Sequence, residues 1–213
     1  MGVDGFVLAG GQSRRMGQDK AVMCVGSRSL LEWALQKLRA VPLQTPPRIA
    51  GRPADSQTMA SVVPDIHPGC GPLSGIQAAM AASVQPLGVF LPVDMPLLPV
   101  AFLRWMLSRA HITGALATVP RVNGLPQPLC AVYHRQLQSA VSIALNTGHY
   151  KVMPVMSAAA SRSGTCDIFD VESVASANSS FAGFSPLPVH RWFHNCNTPG
   201  DMAGLENALV FSQ

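Results

Sequence analysis

Four apolar residues near the start of the chain, Phe6-Val7-Leu8-Ala9, pass without a spacer into Gly10-Gly11. A short apolar run of this kind reads as a buried strand entering a glycine loop. Leu87 to Val93 repeats the pattern and ends at Asp94. Continuous apolar runs suit strands covered on both faces, as in parallel sheets with helices on either side. The covering helices are legible. Ser29 to Arg39 opens with a capping-box pattern, Ser29 with Glu32, and carries an apolar stripe of Leu31, Ala34, Leu35 and Leu38. Further helices are expected from Gly69–Gly75 to about Ser83, from Val100 to Arg109 behind Pro99, and from Arg135 to Leu145. Weaker strands are expected at Arg48–Gly51, Ser61–Pro64, Gly114–Val119 and Leu129–Tyr133, with a turn at Asn123-Gly124. Strands alternating with helices predict an α/β fold: a single Rossmann-like, three-layer α/β/α domain over residues 1–213 with a mainly parallel sheet. Ligands in such sheets sit beyond the carboxyl ends of the strands. Both glycine loops and Asp94 directly follow predicted strands, so all three are expected on one edge.

Residues 157–188, rich in Ser, Ala and Gly, read as a surface excursion with one strand candidate at Asp167–Val171. A strand is expected to follow at Trp192–Cys196. A last helix starts at Pro199, with Thr198 as N-cap and Asp201 three residues on.

Composition bounds the function. Hydrophobic residues make up 48% of the 213 residues and charged residues 12%, which excludes a disordered chain. The formal charge of +4 suits an anionic ligand. Its arginines are scattered, which argues against nucleic acid as a partner. The apolar stretches are broken by Pro, Asp or Arg, so no membrane span is expected. The N-terminus lacks the pattern of a secretion signal. Five dispersed cysteines without a CxxC fit reduced thiols in a cytoplasmic protein, not a zinc site or a disulfide framework.

The segment Leu8-Ala9-Gly10-Gly11-Gln12-Ser13-Arg14-Arg15-Met16-Gly17-Gln18-Asp19-Lys20 carries the chemistry. Glycines let backbone amides approach phosphate oxygens, and Arg14, Arg15 and Lys20 add cationic donors. The loop is neither a Walker A, which needs Gly-Lys-Ser/Thr, nor GxGxxG. On its own it reads equally as a tight turn with solvated arginines. Asp94, a hard carboxylate at a strand end beside such a loop, suits magnesium, with water completing the shell. Asn197 reads either as a residue approaching metal or substrate or as a turn residue before the last helix. On the expected strand His190 and His194 would stand roughly 13 Å apart, too far to share a zinc ion.

The first loop closely resembles the signature of sugar-nucleotide-like nucleotidyltransferases and, within them, the molybdenum cofactor guanylyltransferases. The resemblance continues in the same order through Gly71-Pro72-Leu73-Ser74-Gly75, Pro92-Val93-Asp94-Met95-Pro96, Gly124-Leu125-Pro126-Gln127-Pro128-Leu129 and Asn195-Cys196-Asn197-Thr198-Pro199. It implies transfer of GMP from GTP to molybdopterin with release of pyrophosphate. It also implies Mg2+ as cofactor and proteins of the cofactor pathway as partners. Residue by residue, the resemblance makes Leu8, Ala9, Gly10 and Gly11 the nucleotide-contacting loop. It makes Arg15 and Lys20 phosphate ligands with catalytic roles, Asp65 a nucleotide-binding aspartate, and Asp94 the magnesium ligand. Lys151 falls where the family has basic residues near the acceptor. The family's base-contacting asparagine after the second strand has no counterpart here, where Ala50 and Gly51 stand. Two other readings stay open: a cytidylyltransferase acting on the same cofactor or another phosphorylated small molecule, and a non-catalytic carrier of nucleotide or cofactor.

Overall fold

The computed structural model describes residues 1–10, 20–51, 60–197, 199–202, 205 and 209. In chain order they form β1 (Val3–Leu8), a 3-10 turn (Lys20–Val22), β2 (Cys24–Val25), β3 (Arg28–Ser29), α1 (Leu30–Arg39), β4 (Arg48–Ala50), β5 (Val62–Val63) and α2 (Pro72–Ala82). Then come β6 (Leu87–Pro92), α3 (Val100–Thr113), β7 (Ala117–Val122), β8 (Leu125–Pro126), β9 (Ala131–His134), a 3-10 turn (Arg135–Leu137), α4 (Gln138–Asn146) and α5 (Val152–Ser163). The chain continues with β10 (Cys166–Asp170), α6 (Val171–Ala177), a 3-10 segment (Ser179–Gly183), α7 (Val189–Trp192) and α8 (Pro199–Met202).

Among the described residues the main sheet runs β10-β7-β9-β6-β1-β4-β5, with β8 paired to β7. β1 lies between β6 and β4 and is parallel to both. The β4–β5 and β10–β7 pairs are also parallel. β9 runs against both β6 and β7. The sheet is therefore mostly parallel, with β9 and the short β8 reversed, and β2–β3 forms a small separate hairpin.

The buried side chains divide the molecule into layers. Val7, Ile49, Val89 and Leu91 pack with α1 and α3 on one face of the sheet. Phe6, Leu8, Phe90 and Tyr133 pack with α2, α4 and α5 on the other. Consecutive strand residues point to opposite faces, so a strand covered on both has no polar side and reads as an unbroken apolar run. Asp4 is the exception in β1. It is fully buried and accepts hydrogen bonds from Thr45 Oγ1 (2.8 Å), Arg48 Nη2 (3.1 Å) and Ser83 Oγ (2.7 Å). A buried carboxylate persists only with such donors. α1 begins with the expected capping box, Ser29 and Glu32 exchanging side-chain and backbone hydrogen bonds.

Two expectations change. Residues 157–188 do not loop away from the body: they finish α5, place β10 on the sheet beside β7 and continue through α6. Their alanines favour helix, and Pro154 falls in the first turn of α5, where proline is tolerated. Residues 192–196 form no strand. Trp192 ends α7 and Phe193 follows it, and both rings pack on Phe102 of α3, with centroids 5.8 and 5.4 Å away. A strand would send two neighbouring side chains to opposite faces; a helical turn lets both reach one partner.

Because β9 is reversed, β6 and β7 point the same way. The carboxyl ends of β1, β4, β5, β6, β7 and β10 thus share one edge of the sheet. Gly10, Gly51, Asp65, Asp94 and the turn at Asn123-Gly124 all follow strands at that edge.

Candidate functional site

The end of β1 is held on both sides. Ala9 N–H donates to Ala50 C=O (3.1 Å) and Val93 N–H to Leu8 C=O (3.3 Å). Beyond it three glycine backbones meet. A Cβ on Gly10 would lie 2.5 Å from the carbonyl oxygen of Gly51, closer than any relaxed structure allows. Gly51 itself has φ +94°, a left-handed conformation that favours glycine. A Cβ on Gly75, in the first turns of α2, would lie 3.3 Å from Gly51 Cα and 3.5 Å from Asp65 Oδ1. The second glycine motif is therefore legible as packing: it brings α2 against the ends of β1 and β4. Ala50 is fully buried and Gly51 has no side chain, so neither offers a polar side chain at the end of β4.

Asp65 follows β5 by two residues and stands beside this glycine contact. Its Oδ1 is buried and has no hydrogen-bond partner among the described residues. Burial pushes the Asp65 carboxyl above the usual carboxylate range. A buried acceptor without a donor is costly to a folded chain and marks a place where a ligand can supply the donor. The loop behind it is fixed by Ser74, whose Oγ accepts from His67 N–H (3.3 Å).

Asp94 follows β6 by two residues, and its Oδ2 accepts from Lys20 Nζ at 3.0 Å. The same ammonium donates to Asn197 Oδ1. Asn197 is held by backbone: Cys196 N–H donates to Asp94 C=O (2.8 Å), and Asn197 N–H donates to Asp201 Oδ2 (2.8 Å). Residues 74 and 177 positions apart in the chain are thus joined at one ammonium. Sequence spacing alone carries no sign that Asn197 belongs here; its approach depends on how Trp192 and Phe193 seat the C-terminal segment.

The donor chemistry fits magnesium. Asp94 Oδ2 and Asn197 Oδ1 are hard oxygens, and they converge on a cation. Among the described residues there is no group of three or more His, Cys, Asp or Glu that could hold a metal. Magnesium bound beside nucleotide phosphates needs only one or two protein oxygens, because phosphate and water complete its octahedron.

Cysteines do not compete for this role. All five are free, and burial, before the nearby Asp201 and Asp94, pushes the Cys196 thiol up to about 12. Tyr150, in the α4–α5 loop, lies near Cys70 of the second glycine loop, and that neighbour pushes its phenol above the usual range. Lys151, exposed, is the next residue and the N-cap of α5. His190 lies on α7 and His194 two residues past its end, not on a strand. Gly11, Arg14, Arg15 and Asp19 lie outside the described residues, as does Thr198. No helix among the described residues is long and apolar enough to cross a membrane.

Comparison with known proteins agrees with this architecture. The MobA-like NTP transferase domain family matches residues 5–163. A probable molybdenum cofactor guanylyltransferase of Pelotomaculum thermopropionicum is 34% identical over 151 residues, 70% of this chain and 72% of that protein. One of Pyrococcus furiosus is 32% identical over 216 residues, 97% of this chain and 98% of that protein. Among solved structures, molybdopterin-guanine dinucleotide biosynthesis protein A of Archaeoglobus fulgidus shares the fold with a TM-score of 0.73 at 24% identity, covering 99% of both chains. The fold is shared more widely: 2-C-methyl-D-erythritol 4-phosphate cytidylyltransferase of Thermus thermophilus gives a TM-score of 0.68 at 17% identity, covering 99% of this chain and 100% of that one. The chain belongs to the molybdenum cofactor guanylyltransferase family of the nucleotidyltransferase superfamily.

Proposed function

We propose that this protein transfers GMP from GTP to the terminal phosphate of molybdopterin, with Mg2+ as cofactor and pyrophosphate as the leaving group. The observation that carries the reading is the meeting of Lys20, Asp94 and Asn197 beside the Gly10–Gly51–Gly75 contact. The glycine contact packs α2 against the ends of β1 and β4, the edge against which the nucleotide lies. The acceptor phosphate is already ionised at neutral pH, so the reaction needs alignment and charge neutralisation more than a general base. Lys20, with Arg15, binds the phosphates that depart as pyrophosphate, and the loop from Leu8 to Gly11 contacts the nucleotide. Asp94, with Asn197, holds the cation. A magnesium ion held by Asp94 and Asn197 would supply positive charge against the negative charge that develops in phosphoryl transfer.

Guanine is favoured by Asp65. Its unpartnered buried oxygen is an acceptor without a donor. The N1–H and 2-amino group of guanine present two adjacent donors, a match for one carboxylate. Lys151, the exposed N-cap residue of α5, is the basic residue proposed for the acceptor's phosphate. The test is a screen of the four nucleoside triphosphates with Mg2+ for thermal stabilisation, followed by pyrophosphate release on adding molybdopterin. GTP alone should stabilise and turn over. Preference for CTP would replace the base assignment, and nucleotide binding with no pyrophosphate would make the protein a carrier.

A further inference from the structure

The position of Lys20 bears on how a divalent cation enters. Asp94 and Asn197 come from distant parts of the chain, yet their backbones are held together without help from Lys20. The Cys196 N–H to Asp94 C=O bond (2.8 Å) joins the two segments, and the Asn197 N–H to Asp201 Oδ2 bond (2.8 Å) braces the C-terminal one. Lys20 is the adjustable partner. It sits on a three-residue turn, and four methylenes lead to its ammonium. Its Nζ lies between the two oxygens, 3.0 Å from the carboxylate. These are the protein oxygens that suit a small hard cation.

We infer that in the nucleotide-free protein Lys20 is the resident cation of the Asp94–Asn197 pair, so that the site takes a divalent ion only together with a polyphosphate. An ammonium and a divalent ion repel each other when they share the same two protein oxygens in a partly buried site, and among the described residues Asp94 is the carboxylate that contacts the ammonium. A triphosphate changes the balance. Its oxygens attract the ammonium away from Asp94 and add the negative charge that lets both cations stay. The ligand of this site is then the metal–nucleoside triphosphate complex, and free metal is excluded. The inference rests on the reading of Asp94 as the cation ligand given above. It adds that Lys20 exchanges between two anions during binding.

The test is titration of the nucleotide-free protein with Mn2+ alone, read by the loss of the free-ion paramagnetic resonance signal. Lys20→Gln should bind Mn2+ at least about tenfold more tightly than the unaltered protein. Lys20→Arg, which keeps a cation able to span the same oxygens, should stay weak. The gain should vanish in the Lys20→Gln/Asp94→Asn double variant, and it should not be reproduced by Arg162→Gln, an exposed charge removed from α5. Circular dichroism of each variant checks that it is folded. Equal Mn2+ affinity in the unaltered protein and Lys20→Gln, or a gain that survives loss of Asp94, overturns the exchange. Pyrophosphate release by the unaltered protein is measured separately. Release without a change in Mn2+ affinity would reject the exchange and leave nucleotidyl transfer standing, whereas the Mn2+ pattern without release would do the reverse.

Discussion

Asp65 pits the stability of the free protein against ligand binding. Its carboxyl is pushed above the usual range by burial, with no donor among the described residues to offset the loss of water at Oδ1. A folded-state pKa above the unfolded value means that the folded chain holds the proton more firmly. The protonated form is tolerated at low pH, and a penalty appears as pH rises through the folded pKa. Asp65→Asn removes the charge and should raise the melting temperature of the free protein at pH 7.5. It should also weaken GTP binding by about tenfold or more, because the amide offers one acceptor oxygen and no charge. Calorimetry and GTP titration of the same preparation check both halves. A variant that loses stability and binds GTP normally would show that Asp65 is a structural residue.

At the scale of elements, the site depends on how the C-terminal segment is seated. Trp192 is 1% exposed, donates from Nε1 to Leu187 C=O (2.9 Å), and packs on Phe102 and Phe181. Four residues later Cys196 binds Asp94. Trp192→Ala should cost about 3–5 kcal/mol of stability, measured by urea denaturation, and lower turnover more than it lowers GTP affinity, because Asn197 loses its anchor. The same segment marks where the sequence was misleading. Adjacent Trp and Phe look like a strand by composition, and only the ring of Phe102, some ninety positions away in the chain, turns them onto one side. By contrast β1, α1, α2, β6 and α3 were legible, because each carries its own signal: an unbroken apolar run, a capping box, or a proline at the first turn. α5 was not legible, since Lys151 provides no cap and Pro154 masks the helix start. Of the site, Asp94 and Gly10 could be placed from their positions after strands, and Asp65 only through the family resemblance. The meeting of Gly51 and Gly75 could not, and Asn197 stood as one of two open readings, because both depend on tertiary packing.

The whole molecule carries a buried charge that its core must manage. Lys37 of α1 is 1% exposed, its Nζ donates to Leu98 C=O (2.9 Å), and burial lowers its pKa to about 7. That bond ties α1 to the segment between Asp94 and α3. The unfolded chain keeps a lysine protonated to about pH 10.4, so between roughly 7 and 10 it binds a proton that the folded protein does not. Stability should therefore rise with pH across this window, and the full penalty should apply below it. Lys37→Met should be more stable than the unaltered protein at pH 6, and the advantage should shrink steadily toward pH 10, as read from urea midpoints. Parallel curves at all pH values would mean that Lys37 stays charged in the core.

The transfer reaction itself ties these scales together, since it needs the glycine contact, the strand ends and the seated C-terminus at once. The most direct measurement is pyrophosphate release from GTP and molybdopterin by the unaltered protein and by Asp94→Ala, with circular dichroism taken on both. The unaltered protein should release pyrophosphate only when Mg2+ is present, and Asp94→Ala should keep its fold and release none. Mg2+-dependent release at the normal rate from folded Asp94→Ala would contradict the account.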